Sequence, residues 1–111
     1  MNKKIKNVPN DIKDCPIFKA MVIFNSKWNM WVIYALEDEK TMRFGEIKKR
    51  IPDISNNILS STLKGLEKLG LITKKQYNEV PPHTEYSLTK KAIALKPIFK
   101  EMWKWGEKYN K

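Results

Sequence analysis

Apolar positions change their period twice along this chain, and the changes mark out its elements. Leu59, Leu63, Leu66 and Leu69 recur at helical spacing. Ser55, just ahead of them, is a helix-capping residue type, because its hydroxyl can accept a bond from an unpaired N–H in the first turn. Gly70 suits the left-handed residue that closes a helix. The face opposite the leucines carries Asn57, Ser60, Ser61, Lys64 and Lys68, and no acid. From Leu71 to Tyr77 the pattern becomes strand-like. A loop, Asn78-Glu79-Val80-Pro81-Pro82, follows, and then a second strand from His83 to Leu88.

Other elements flank this unit. Pro16 suits the first turn of a helix through Phe24, with Ile17, Phe18, Met21 and Val22 as its apolar stripe. Ser26 is a second capping candidate and opens a helix from Lys27 to about Asp38. That helix is apolar almost all round, through Trp28, Met30, Trp31, Val32, Ile33, Tyr34, Ala35 and Leu36. It predicts either the central core helix or one lying against a second subunit. Met42 to Arg50 reads as a short helix with Phe44 and Ile47 inward; Pro52 stops it, and Asp53-Ile54 turns into the Ser55 helix. Thr89 opens a last helix to about Tyr109, in which Pro97 is expected to cause a bend. Its apolar positions are Ala92, Leu95, Ile98, Phe99, Met102, Trp103, Trp105 and Tyr109. They span more than the roughly 100° stripe that one core covers. A second copy of the chain is the expected cover, contacted through Trp28, Phe99, Met102, Trp103, Trp105 and Tyr109. Residues 1–14 read as a polar arm, with Val8-Pro9-Asn10-Asp11 disfavouring a helix.

The predicted fold is mostly α with a small β-hairpin, in one domain over residues 15–111. Two helices joined by a tight turn, then a hairpin, form a winged helix-turn-helix. Its recognition helix falls at about 55–69, its wing at about 71–88 and its C-terminal helix at about 89–109, with N- and C-terminal dimerisation elements.

Charge points to the partner. The net charge is +10, and of 22 Lys and Arg only Arg43 and Arg50 are arginine. Clustered cations favour a polyanion, because binding releases condensed counterions. The distribution is broad: residues 89–111 carry seven Lys and two Glu, so charge alone also fits an ordinary lysine-rich surface. Asn56, Asn57, Ser60 and Ser61, beside the cap Ser55, occupy the half of the helix that meets base edges in this motif. An Asn amide can bond both N6 and N7 of adenine. Arg43, Lys64, Lys68, Lys74 and Lys75 are the candidates for phosphate contact, and His83, near the wing tip, for minor groove or phosphate. Each has a plainer reading as a solvated surface residue.

With these elements placed, the order of residues resembles the HxlR-type winged helix-turn-helix regulators of the MarR-like group. The match runs from about Cys15 to Trp105: Cys15-Pro16, Lys27-Trp28, Arg43-Phe44-Gly45-Glu46-Ile47, Ile54-Ser55, Leu66-Glu67 and Gly70-Leu71-Ile72. Its most specific piece is Val80-Pro81-Pro82-His83-Thr84-Glu85-Tyr86-Ser87-Leu88-Thr89. The resemblance implies a cytoplasmic homodimer binding a palindromic operator in double-stranded DNA, most often as a repressor. Members often carry arginine on the exposed recognition-helix face, where this chain has Asn57, Ser61 and Thr62; the wing, often basic after its prolines, has His83. Some members sense oxidants or electrophiles through a cysteine at the Cys15 position, where the positive end of a helix favours thiolate. The alternative for Cys15 is a small half-buried residue.

Other classes find little support. One cysteine forbids an internal disulfide, which fits a reducing compartment, and the N-terminus lacks the apolar block of a signal peptide. No run of about 18 apolar residues predicts a membrane span. One His and one Cys are too few for a closed metal site, and no cofactor motif is present. Cys15 and His83 lie in different elements, so an enzyme is not expected. The four tryptophans fit helix packing better than a single-strand stacking platform. A small effector between the central and terminal helices is a third possibility. The competing class is a winged-helix protein-interaction module whose charge is incidental.

Overall fold

Ser26 and Ser55 cap the two principal helices, as their positions predict. Ser26 Oγ accepts from the Trp28 N–H at 3.0 Å, and Ser55 Oγ from the Ile58 N–H at 3.0 Å. The computed structural model describes residues 11–110. The predicted polar arm therefore lies largely outside the described residues; within them, Asp11 caps a 3-10 turn at Ile12–Asp14.

The helices are α1 (Pro16–Ala20), α2 (Lys27–Glu37), α3 (Phe44–Arg50), α4 (Asn56–Lys68), α5 (Lys90–Ile93) and α6 (Lys96–Tyr109). The strands are β1 (Met42–Arg43), β2 (Ile72–Tyr77) and β3 (His83–Leu88), in sheet order β1-β3-β2, with both pairings antiparallel. Val32, Ile33 and Leu36 of α2 meet Ile47, Leu59, Leu63, Leu66, Leu71, Ile72 and Tyr86 in one core. Burial of each such aliphatic side chain contributes about 1.5–3 kcal/mol.

Four sequence expectations are corrected. The first helix stops at Ala20 rather than Phe24: from Val22 onward the N–H groups bond three residues back, giving a 3-10 turn at Ile23–Asn25. The β-branched pair Val22-Ile23 is a poor α-former, and Asn29 Nδ2 satisfies the freed Ile23 carbonyl at 3.2 Å. Met42 and Arg43 form a strand rather than a helix start, pairing with Tyr86 and Glu85. Two residues are too few for a period of two to show in sequence. The terminal helix is broken into α5 and α6 at Ala94-Leu95. The Pro97 ring would meet the Ile93 carbonyl of a continuous helix, so Pro97 sits in the first turn of α6, where a missing N–H costs nothing. Thr89 keeps its predicted capping role, accepting from the Ala92 N–H at 3.3 Å.

The fourth correction concerns the apolar surface. Phe99 is 7% exposed and belongs to the core rather than to the free apolar surface, and Trp28 is half-buried against the same core. Phe99 points inward because its ring packs on Tyr34, centroids 5.6 Å apart. Met102, Trp103, Trp105 and Tyr109 remain exposed, as do Ile17, Phe18, Met21 and Val22 of the N-terminal segment.

Candidate nucleic-acid interface

One turn of five residues, Ile51 to Ser55, joins α3 to α4. Asp53 takes the left-handed conformation there (φ 65°), which Asp tolerates better than most residues. Buried Ile51 and Ile54 flank it, so the turn is pinned to the core while α4 leaves at a fixed angle.

Leu59, Leu63 and Leu66 anchor α4 from within, and Leu69 is half-buried at its end. Asn56, Asn57, Ser61, Lys64 and Lys68 face solvent, and Ser60 is half-buried at the margin. Thr62 is 8% exposed and belongs to the inner face, which corrects its placement on the exposed one. The helical turn brings it beside Leu59 and Leu66, not beside Asn57. Ser61 donates its hydroxyl to the Ile58 carbonyl at 3.1 Å and keeps its lone pairs free. Among the described residues, neither the Asn56 nor the Asn57 amide is spent on another side chain.

The wing divides its cations between two faces. Successive strand residues point opposite ways, so Lys74, across from Tyr86, and Lys75, across from Glu85, cannot act on one surface. Arg43 also stands opposite Glu85, on β1. Glu85 thus has a cation on each neighbouring strand. Arg43, Lys74 and Lys75 are all exposed.

His83 departs from its expected role. Its ring stacks on Tyr77, with centroids 4.6 Å apart and 17° between planes, and its side chain is only 13% exposed. Its Nε2 lies 3.1 Å from Glu85 Oε2 and its Nδ1 3.8 Å from Glu79 Oε1. The Glu85 carboxylate and the Tyr77 ring hold the imidazole, so it does not project from the tip. The unpaired loop 78–82 forms the tip instead.

Burial, and then the charge of Glu67, push the Tyr86 phenol above its usual range. Cys15 is buried at the start of α1, with no side-chain bond to that helix. Sequence reasoning missed Lys91, whose ammonium donates to the Leu69 carbonyl at 2.7 Å, and a second role of Thr89, whose hydroxyl donates to the Gly70 carbonyl at 2.7 Å. No local pattern signals a bond spanning about twenty residues.

Between α2 and α6 lies an open apolar cleft of about 300 Å³, lined by Met30, Trp31, Tyr34, Phe99, Met102 and Trp103. Among the described residues no three His, Cys, Asp or Glu gather as a metal site, and no helix is long and apolar enough to cross a membrane.

A helix-turn-helix beside a hairpin, rooted in one core, is a fold this chain shares with known proteins. The HxlR-like helix-turn-helix family model matches residues 23–111. An uncharacterized HTH-type transcriptional regulator of Halalkalibacterium halodurans, BH0655, is 44% identical over 105 residues, covering 95% of this chain and 89% of its own. A MarR-family transcriptional regulator structure from Porphyromonas gingivalis is 43% identical with a TM-score of 0.83, covering 87% of this chain and 94% of its own. The regulator YodB of Bacillus subtilis is similar both in its reduced form (34% identical, TM-score 0.76, 87% and 95% covered) and after diamide treatment (32%, 0.69, 87% and 96%). The chain belongs to the HxlR-like helix-turn-helix family of DNA-binding transcriptional regulators, with a MarR-like winged helix.

Proposed function

We propose that this chain acts as a homodimer on a palindromic operator and represses the gene whose promoter that operator overlaps. The observation that carries the reading is the exposed, unspent Asn56-Asn57 face of α4, held rigid by Leu59, Leu63 and Leu66 behind it. Two such helices, paired by symmetry, read two half-sites in successive major grooves. Lys64 and Lys68 flank that face on α4, while the wing offers Lys74 on one face and Arg43 and Lys75 on the other as its candidate phosphate contacts. The dimer is supported by aromatic surface that the protomer leaves uncovered: Met102, Trp103, Trp105 and Tyr109 on α6, with Ile17, Phe18 and Met21 near the N-terminal segment. Repression follows if the dimer, once seated, denies polymerase the same stretch of duplex.

Selection of bound fragments from random DNA, followed by salt titration, tests this directly. One enriched palindrome is expected, with log K falling steeply against log salt as six or more phosphates (about one slope unit each) are neutralised. Absence of binding to any duplex at low salt would leave the protein-interaction reading standing. Addition of the protein to a transcription reaction on that palindrome should lower transcript yield.

We further propose thiol oxidation at Cys15 as the signal, supported by the likeness to YodB in its reduced and diamide-treated forms; because the thiol is buried in the protomer, the segment around it must open before it reacts. Two Cys15 thiols, one from each protomer, would lose two protons and two electrons to diamide, which becomes the hydrazine, as one S–S bond forms. A diamide-dependent covalent dimer on a non-reducing gel, absent in Cys15→Ser, is expected together with altered operator affinity. Unchanged affinity would remove Cys15 and leave the α2–α6 cleft as the site for a small apolar effector.

A further inference from the structure

We propose that Lys91 and Thr89 clamp the wing root to the end of the recognition helix, refining the direction its buried leucines give it, and so govern operator preference without touching DNA; this rests on the DNA-reading role of α4 proposed above. A helix end leaves carbonyls without partners. At the end of α4 the chain turns at Gly70 (φ 76°); the Leu71 N–H returns to the Leu66 carbonyl at 2.9 Å and the Gly70 N–H to the Glu67 carbonyl at 3.0 Å. Just past α4 lie the carbonyls of Leu69 and Gly70. Both are taken from beyond the wing, by Lys91 Nζ and Thr89 Oγ1 at 2.7 Å each. The Thr89 N–H adds a third tie, to the Leu71 carbonyl at 3.0 Å.

The chain leaves α4 for the wing at Leu71 and comes back at Thr89. These three bonds therefore close the root of the wing on the end of the helix and make one body of the two. An ammonium at the negative end of a helix adds charge to the bond. From that root to Asn57 the helix runs about 20 Å, at roughly 1.5 Å per residue. A tilt of about 5° would carry the amide nearly 2 Å, which breaks a hydrogen bond that tolerates a few tenths of an ångström. Lys91 differs from Lys64 in place: its ammonium is held at the Leu69 carbonyl, at the end of α4 away from Asn57. It should contribute little to counterion release.

The experiment compares wild type, Lys91→Met, Lys91→Arg and Lys74→Met in the full chain. Three quantities are read: preference for the selected operator over a scrambled duplex, the slope of log K against log salt, and amide exchange at Gly70 and Leu71 in DNA-free protein. Lys91→Met is expected to lose about tenfold in preference, the scale of one weakened base contact, and to keep the wild-type slope. Its Gly70 and Leu71 amides should exchange faster, and Lys91→Arg should restore both. Lys74→Met should do the reverse, keeping preference while its slope drops by about 0.9. Should Lys91→Met lose its fold on thermal melting, Lys91→Gln is measured in its place. A reduced slope in Lys91→Met would make it a phosphate contact and overturn the proposal, as would unchanged exchange or unchanged preference. Wild type binding no duplex would sink the DNA reading and this proposal with it. Wild type binding normally beside an indifferent Lys91→Met would sink the proposal alone.

Discussion

Tyr77 and His83 close the wing, their rings stacked across the last paired rung of the hairpin at 4.6 Å. The imidazole also reaches Glu85, so it is held on two sides and turned away from solvent. His83→Ala should cost about 1 kcal/mol of stability, the scale of an aromatic pair. It should leave the salt dependence of DNA binding as in wild type. Thermal melting and a salt titration read the two effects separately. A slope lowered by about one would restore His83 as a phosphate contact.

Asn57 is expected to act on the base sequence rather than on the backbone. Its amide is exposed on a helix whose other face is locked by buried leucines. Asn57→Ala should weaken operator binding by about 1–3 kcal/mol and leave non-specific duplex binding nearly unchanged. Equal losses on both DNAs, measured by titration, would show that Asn57 does not read bases. Lys64→Met should show the opposite division, with a shallower salt slope and intact preference.

Trp103 and Phe99 lie on the same helix and should fail in different ways. Trp103 is 59% exposed, whereas Phe99 is 7% exposed and packs on Tyr34. Trp103→Glu places a charge in the proposed dimer contact and should yield folded monomers by sedimentation. Phe99→Ala empties part of the core and should destabilise the protomer by about 3–5 kcal/mol. A Trp103→Glu protein that stays dimeric would move the subunit contact elsewhere, with the exposed Ile17, Phe18 and Met21 the next surface to test.

Elements with a local chemical cause are legible in the amino-acid sequence. Ser26, Ser55 and Thr89 are capping residues because a hydroxyl next to a helix start has one evident use. Gly70 is legible for the same kind of reason, since only its backbone favours φ 76°. Features that depend on distant partners are not legible in this way. Met42 becomes a strand only because Tyr86 is beside it, and Lys91 becomes a helix cap only because the wing folds back to Leu69. Counting helical positions misplaces Thr62 and Phe99, because the width of the buried arc is set by the elements packed around each helix. His83 reads as a tip residue in the sequence, and only the pairing of β2 with β3 brings it the Tyr77 ring on which it stacks.

Glu37 gives a prediction about pH. It ends α2, with Oε2 buried and without a hydrogen-bond partner among the described residues. Burial raises its carboxyl above the ordinary range; Lys96 opposes that shift, and the charge of Asp38 adds to it. The folded state therefore holds this proton to a higher pH than the unfolded state does. The resulting stability is fully present in acid and is lost as pH climbs from the unfolded value through the folded one. At neutral pH the ionised carboxylate is a net cost to the fold. Glu37→Gln removes the charge and keeps the shape, so its melting temperature should exceed that of wild type at pH 7. The gap should close at about pH 4, where the wild-type carboxyl is itself protonated. Melting curves across that range decide the matter. A Glu37→Gln protein less stable than wild type at pH 7 would mean that attraction to Lys96 outweighs the cost of burial.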